Sequence, residues 1–198
     1  MDDDHGQHPP ARWPTVTHEI LGRFKLFNLF ETTRRSPTTG QNHRFMRLEA
    51  PDWVNIVAIT RDGLLVLVEQ FRHGVDAATL EIPGGMVDPG EDPASAAVRE
   101  LEEETGFSGG TLHLLGWVEP NPAFLTNRCW TYLVRDCAPD GTPRPDPSEE
   151  ISLRLEPLSR FTELIDDGTI RHSLVIAAHD HLQRGIRRGA EWADAIFD

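Results

Sequence analysis

Short runs of apolar residues, spaced for strands, dominate the first half of the chain. Between Thr15 and Glu49 the composition predicts two or three strands, for example over Phe24 to Thr33. Val54 to Thr60 and Leu64 to Gln70 are rich in β-formers and flank Arg61-Asp62-Gly63, an Asp-Gly turn that predicts a hairpin. A short strand over Thr79 to Ile82 then runs into Pro83-Gly84-Gly85. The spacing changes at Pro93 to Thr105, where a helix is expected. Asp92 suits its N-cap, Pro93 its first position and Gly106 the residue that ends it. Strands are expected again at Thr111 to Val118, Cys129 to Arg135 and Ile151 to Glu156, with a loop rich in Pro and Asp from Pro139 to Pro147. A last helix is read from Thr169 to Arg187, with Ile170, Leu174, Ala177 and Leu182 as its apolar positions. The pattern is that of an α+β protein or an α/β/α sandwich with a mixed sheet. Residues 1–14 read as a disordered polar tail, 15–49 as a β-rich N-terminal segment, and 50–198 as the main domain.

Charge sharpens this picture. The chain carries 32 acidic against 19 basic residues, a formal net charge of −13. Such a surface argues against nucleic-acid binding, and it would repel a phosphate ligand unless a divalent cation intervened. Lys25 is the sole lysine, which excludes a Gly-Lys-Ser/Thr phosphate loop and leaves cationic contacts to arginine. No apolar run approaches the ~18 residues that span a bilayer. The acidic start, Met1-Asp2-Asp3-Asp4-His5, has none of the apolar character of a signal peptide. Cys129 and Cys137 lie at the ends of one expected strand, roughly 26 Å apart at ~3.3 Å per residue, too far for a disulfide. Two unpaired thiols fit a reducing, cytoplasmic location.

On a helical wheel of ~100° per residue, Ala94, Ala97, Val98 and Leu101 share one sector, expected to be the buried stripe. Glu100, Glu103 and Glu104 share the adjacent sector at i,i+3 and i,i+4 spacings, so their carboxylates converge and repel. A Glu run is most often a solvated face; here, three features favour a hard cation held by oxygen. Arg99 is placed to pair with Glu103 or Glu91. The tight turns at Gly84-Gly85 and Asp88-Pro89-Gly90 can bring backbone carbonyls near the carboxylates. The third feature is the spacing as a whole.

Gly85, five residues, Glu91, seven residues, then Arg99-Glu100-Leu101-x-Glu103-Glu104-x-Gly106-Phe107 resembles the signature of the Nudix hydrolases at all nine specified positions. The resemblance implies a Nudix-type α/β/α sandwich and a substrate in which a nucleoside diphosphate is linked to another group. It implies Mg²⁺, with Mn²⁺ as a substitute, held by Glu100, Glu103, Glu104 and the Gly84 carbonyl. Glu91 and Arg99 would pair in a structural role. A homodimer formed through the β-rich N-terminal segment is also implied.

The flanks narrow the substrate. Glu69-Gln70-Phe71-Arg72, then Leu80-Glu81-Ile82-Pro83-Gly84-Gly85, resembles the branch acting on ADP-ribose and nucleoside diphosphate sugars, as does Pro122 fifteen residues beyond Phe107. The surrounding Asn121-Pro122-Ala123-Phe124 departs from the commoner Ser-Pro-Gly form. By this resemblance Arg72, Glu81 and Pro122 would contact substrate. Glu149 and Glu150 fall where this branch carries acids on a mobile loop. Glu149 is the better match to a metal-linked position, and the water-activating base is Glu149, Glu150 or Glu103. The implied reaction releases a nucleoside monophosphate and a sugar phosphate. The alternatives are a hydrolase of dinucleoside polyphosphates or nucleoside triphosphates, and a Nudix-fold ligand sensor that does not turn over. Gly106-Phe107-Ser108-Gly109-Gly110 matches Gly-x-Ser-x-Gly but follows a helix rather than a strand, so no nucleophile elbow is expected. His179 and His181, two apart on a helix, should face apart.

Overall fold

The computed structural model describes residues 10–147 and 149–193; most of the expected disordered tail falls outside them. Contacts divide the chain into two units, Met1–Ala50 with Asn121–Thr126, and Pro51–Pro120 with Asn127–Asp198. The first holds a three-stranded antiparallel sheet of β1 (Thr15–Arg23), β2 (Asn28–Arg35) and β3 (Asn42–Glu49), in that order. The middle strand is the more enclosed, and Thr32 is fully buried and bonds to His18 at 2.8 Å. β1 is solvent-exposed along nearly its whole length, and Val16, Ile20, Leu21, Phe24, Leu26, Phe45 and Met46 are all exposed.

The second unit is built on a seven-stranded mixed sheet. Its strands are β4 (Trp53–Thr60), β5 (Leu64–Arg72), β6 (Ala77–Glu81), β7 (Gly84–Met86), β8 (Thr111–Val118), β9 (Cys129–Cys137) and β10 (Ile151–Pro157). The path runs β10-β5-β4-β9-β8, with β6 paired to β5 and β7 to β4. Only the central pair β4–β9 is parallel among the described strands. β4 reads as a nearly continuous apolar run because both of its faces are covered. One face packs Val54, Ile56, Ala58 and Val66 under α1 (Pro93–Thr105) through Ala96, Ala97 and Leu101. The other packs Val57, Ile59, Leu65, Leu67 and Leu133 under α2 (Arg160–Asp166) and α3 (Ser173–Arg187). Each fully buried Leu or Ile in these two layers contributes roughly 1.5–3 kcal/mol. This is the expected α/β/α sandwich.

Some local readings differ. The buried side of α1 comprises Ala96, Ala97, Leu101, Glu104 and Thr105, whereas Val98 is 44% exposed. The stripe is rotated because Glu104 points inward. α2 was not read from the sequence, and α3 begins at Ser173 rather than Thr169. Gly168 takes a left-handed φ of 76° and Ile170 N–H bonds back to Leu164 O, so Ile170 is buried in the link between the two helices. Cys129 and Cys137 are both buried and free. His179 packs edge-on to Phe161 and His181 lies against Gly116, on different sides of α3.

Candidate active site

The site forms where β7 ends beside the flank of α1. The helix is fixed at both ends. Asp92 accepts hydrogen bonds from the N–H groups of Ala94 and Ser95, and Gly106, at φ 73°, returns its N–H to Glu102 O. β7 lies along β4 with Gly84 opposite Asn55 and Gly85 opposite Val54. Neither glycine can be replaced without displacement: a Cβ on Gly84 would lie 2.3 Å from Val54 O, and one on Gly85 would lie 2.3 Å from the Glu100 carboxyl carbon. Bare backbone here brings the strand against the acidic face of the helix.

Glu104 is buried and accepts the Gly84 N–H at 3.0 Å. The start of β7 thus offers this carboxylate an N–H. Burial, with the charges of Glu100 and Glu149, pushes the Glu104 carboxyl up to about 8; the Gly84 N–H and Arg72 oppose the rise. Burial raises Glu100 too, with Glu103 and Glu149 adding to it and Arg99 opposing. The charge of Glu149 acts on Glu100, Glu104 and Arg72 without a direct contact among the described residues. Glu149 and Glu150 are both exposed, and Glu150 enters none of these interactions among the described residues.

Arg99 is the hub beneath the cluster. Its Nε and Nη2 bind both oxygens of Glu91 at 3.0 and 2.8 Å, its Nη2 also reaches Met86 O, and its Nη1 donates to Glu100 at 2.8 Å and Glu103 at 3.0 Å. Arg99 joins the turn to the helix, and the fork holds the Glu91 carboxyl below its ordinary range. Glu100 and Glu103 both point at Arg99, and among the described residues no three acids, histidines or cysteines converge on one point as a metal cage.

A second fork stands across the site. Arg72 Nε and Nη2 donate to Glu81 Oε1 and Oε2, each at 2.8 Å, and Thr79 Oγ1 donates to Glu81 Oε1 at 2.6 Å. Glu81 is only 3% exposed, yet its carboxyl lies below the ordinary value because Arg72 and Thr79 outweigh the effect of burial. The charges of Glu104 and Glu149 also act on Arg72, whose direct partner is Glu81.

Residue by residue, Arg72, Glu81, Gly84, Glu91, Arg99, Glu100, Glu103, Glu104 and Glu149 share one neighbourhood. Pro122 belongs to the other unit, within Asn121–Thr126. Sequence reading missed Thr79 and His172, which both act on Glu81. Thr79 was legible: it stands two before Glu81 on a strand and so shares its face. His172 was not, because only the fold brings the N-terminal end of α3 to β6.

A mixed sheet sandwiched by helices, with one acidic helix set against a glycine-rich strand end, defines the class of this protein. The chain matches the NUDIX domain over residues 50–178 and belongs to that family, as the signature indicated. It is 30% identical to the methanol dehydrogenase activator of Bacillus methanolicus over 145 residues, 73% of this chain and 78% of that protein. It is 30% identical to the ADP-sugar pyrophosphatase of Mus musculus over 156 residues, 71% and 70% of the two chains. The crystal structure of an ADP compounds hydrolase shares the fold, with a TM-score of 0.81 and 22% identity over 92% of this chain and 98% of that one.

Proposed function

We propose that this Nudix pyrophosphohydrolase cleaves the diphosphate linkage of ADP-ribose or a related nucleoside diphosphate sugar, giving a nucleoside monophosphate and a sugar phosphate. The observation that carries the reading is the pairing of the acidic helix face with the Arg72–Glu81 fork. The mouse relative named for ADP-sugars adds support.

The donors suit Mg²⁺, or Mn²⁺ in its place: Glu100, Glu103, Glu104 and the Gly84 carbonyl offer only oxygen. The test of fit is electrostatic and steric. Burial has lifted Glu104, which has no ion pair among the described residues, and Glu100 in spite of its pair with Arg99, so the two carboxylates together are short of positive charge. The Gly85 backbone leaves open the space a side chain would take from Glu100. When bound, such an ion neutralises charge on the diphosphate and lowers the pKa of water. The chain supplies the rest. Arg72 offers its remaining N–H groups to a phosphate while Glu81 fixes the orientation of the guanidinium. Arg99 holds the turn on the helix. Glu149, whose charge acts on Glu100 and Glu104, is the favoured proton acceptor for the attacking water over Glu150 and Glu103. A homodimer is part of the proposal, supported by the exposed apolar residues of the N-terminal sheet.

The test is a panel of ADP-ribose, GDP-mannose, UDP-glucose and a dinucleoside polyphosphate, assayed with Mg²⁺ and a coupled phosphatase. Preference for a nucleotide sugar supports the reading; preference for the dinucleoside polyphosphate would replace it.

A further inference from the structure

A second cluster of polar groups lies away from the acidic helix, between α3 and the edge strand β8. His181, Arg184 and Gly185 of α3, with Arg188 just past its end, line a hollow of about 380 Å³ together with Leu114, Leu115, Ala190 and Trp192. That volume falls within the ~300–1,000 Å³ of small-molecule sites. The chain reverses at Gly189, φ 63°, and lays Trp192 against Gly185, where a Cβ would stand 2.1 Å from the indole. The hollow is thus shaped by two glycines and walled on one side by an aromatic ring.

Its polar groups are incompletely used. The Nε2 atom of His181 is buried and has no hydrogen-bond partner among the described residues. An unpartnered buried imidazole nitrogen is costly and calls for a donor or acceptor. Arg184 pairs with Asp180 at 2.6 Å, and Arg188 has no ion pair among the described residues. Two arginines line this one hollow in a chain of net charge −13. Burial and Arg184 hold the His181 ring below its ordinary pKa, while Asp180 and the Trp117 backbone oppose them, which favours the neutral ring at physiological pH.

We propose that this hollow is a second ligand site, taking a phosphate monoester that carries hydroxyl groups. The arginines would hold the phosphate, as guanidinium groups do in forked pairs. Nε2 of His181 would accept a hydroxyl proton, and Trp192 would cover the flat side of the sugar or base. Sugar phosphates and nucleoside monophosphates share this chemistry. The proposal stands independently of the reading of the acidic site.

The test follows the His181 ring resonances by NMR in full-length protein, assigned by their loss in His181→Gln. Ribose 5-phosphate, AMP and inorganic phosphate are titrated separately, without divalent metal. Saturable shifts with at least one ester, at least fivefold tighter than with inorganic phosphate, are expected. The tighter ester identifies the body that Trp192 prefers. Arg184→Gln with Arg188→Gln should weaken that binding roughly tenfold or more with an unchanged melting temperature and unchanged turnover. The proposal is overturned if no ester shifts His181 at 10 mM, if inorganic phosphate binds as tightly as both esters, or if the double variant binds as tightly as the natural chain.

Discussion

Glu104→Gln should disable the enzyme and stabilise the metal-free protein at the same time. Glu104 is buried, and its carboxyl is pushed up to about 8 from an ordinary 4.5 by that burial together with the charges of Glu100 and Glu149. A carboxyl whose folded value is raised binds its proton more tightly in the folded state, so stability falls as pH rises from about 4.5 to about 8. A gap of roughly 3.5 at ~1.36 kcal/mol per pH unit sets an upper bound of ~5 kcal/mol at pH 8. Glutamine keeps the acceptor for the Gly84 N–H and the shape of the side chain but never ionises. If about half the bound survives relaxation, the variant gains ~2 kcal/mol. In a chain of this size that is roughly 4–8 °C in melting temperature. The assay is thermal unfolding by circular dichroism in EDTA, comparing the variant with the natural chain at pH 5 and pH 8. The gain should be present at pH 8 and largely absent at pH 5, with turnover reduced by orders of magnitude. A variant no more stable than the natural chain at pH 8 would refute the account of Glu104 as a buried carboxylate short of positive charge.

Three further outcomes are expected. Glu81→Gln should raise KM for a nucleotide sugar about tenfold or more through loss of a charged fork, and should add little in an Arg72→Ala background; additive losses in that double-mutant cycle would assign Glu81 a role apart from Arg72. Glu149→Gln should lower kcat far more than Glu150→Gln, and the reverse order in steady-state kinetics would move the base to Glu150. Removal of residues 1–49 should leave a monomeric or insoluble protein, whereas a truncated chain that remains dimeric by light scattering would place the interface elsewhere.

The sequence made some features legible because each was written in local chemistry. The bounds of α1 followed from Asp92, Pro93 and Gly106, residues whose capping roles do not depend on the rest of the fold. The strands of the main sheet followed from apolar runs bounded by turn residues. What was misread depended on distant partners. On the wheel Glu104 fell in the sector beside the buried stripe, whereas the Gly84 N–H, twenty residues earlier, receives it in the interior. β7, Gly84–Met86, carries no hydrophobic pattern and becomes a strand only through its register against β4. The Arg72–Glu81 fork arises where β5 and β6 pair, a partnership that a linear reading does not show. α2, seven residues long with Phe161 and Leu164 buried, is too short to show a helical period.

The central claim is that the acidic helix, the Gly84–Gly85 turn and the Arg72 fork together form a metal-assisted pyrophosphohydrolase site. It is tested most directly by incubating the natural chain and Glu104→Gln with ADP-ribose and Mg²⁺, with and without EDTA, and separating the products by chromatography. The account predicts AMP and ribose 5-phosphate from the natural chain with Mg²⁺, and almost none with EDTA or from the variant. Binding of ADP-ribose without cleavage by the natural chain, or cleavage untouched by EDTA, would contradict it.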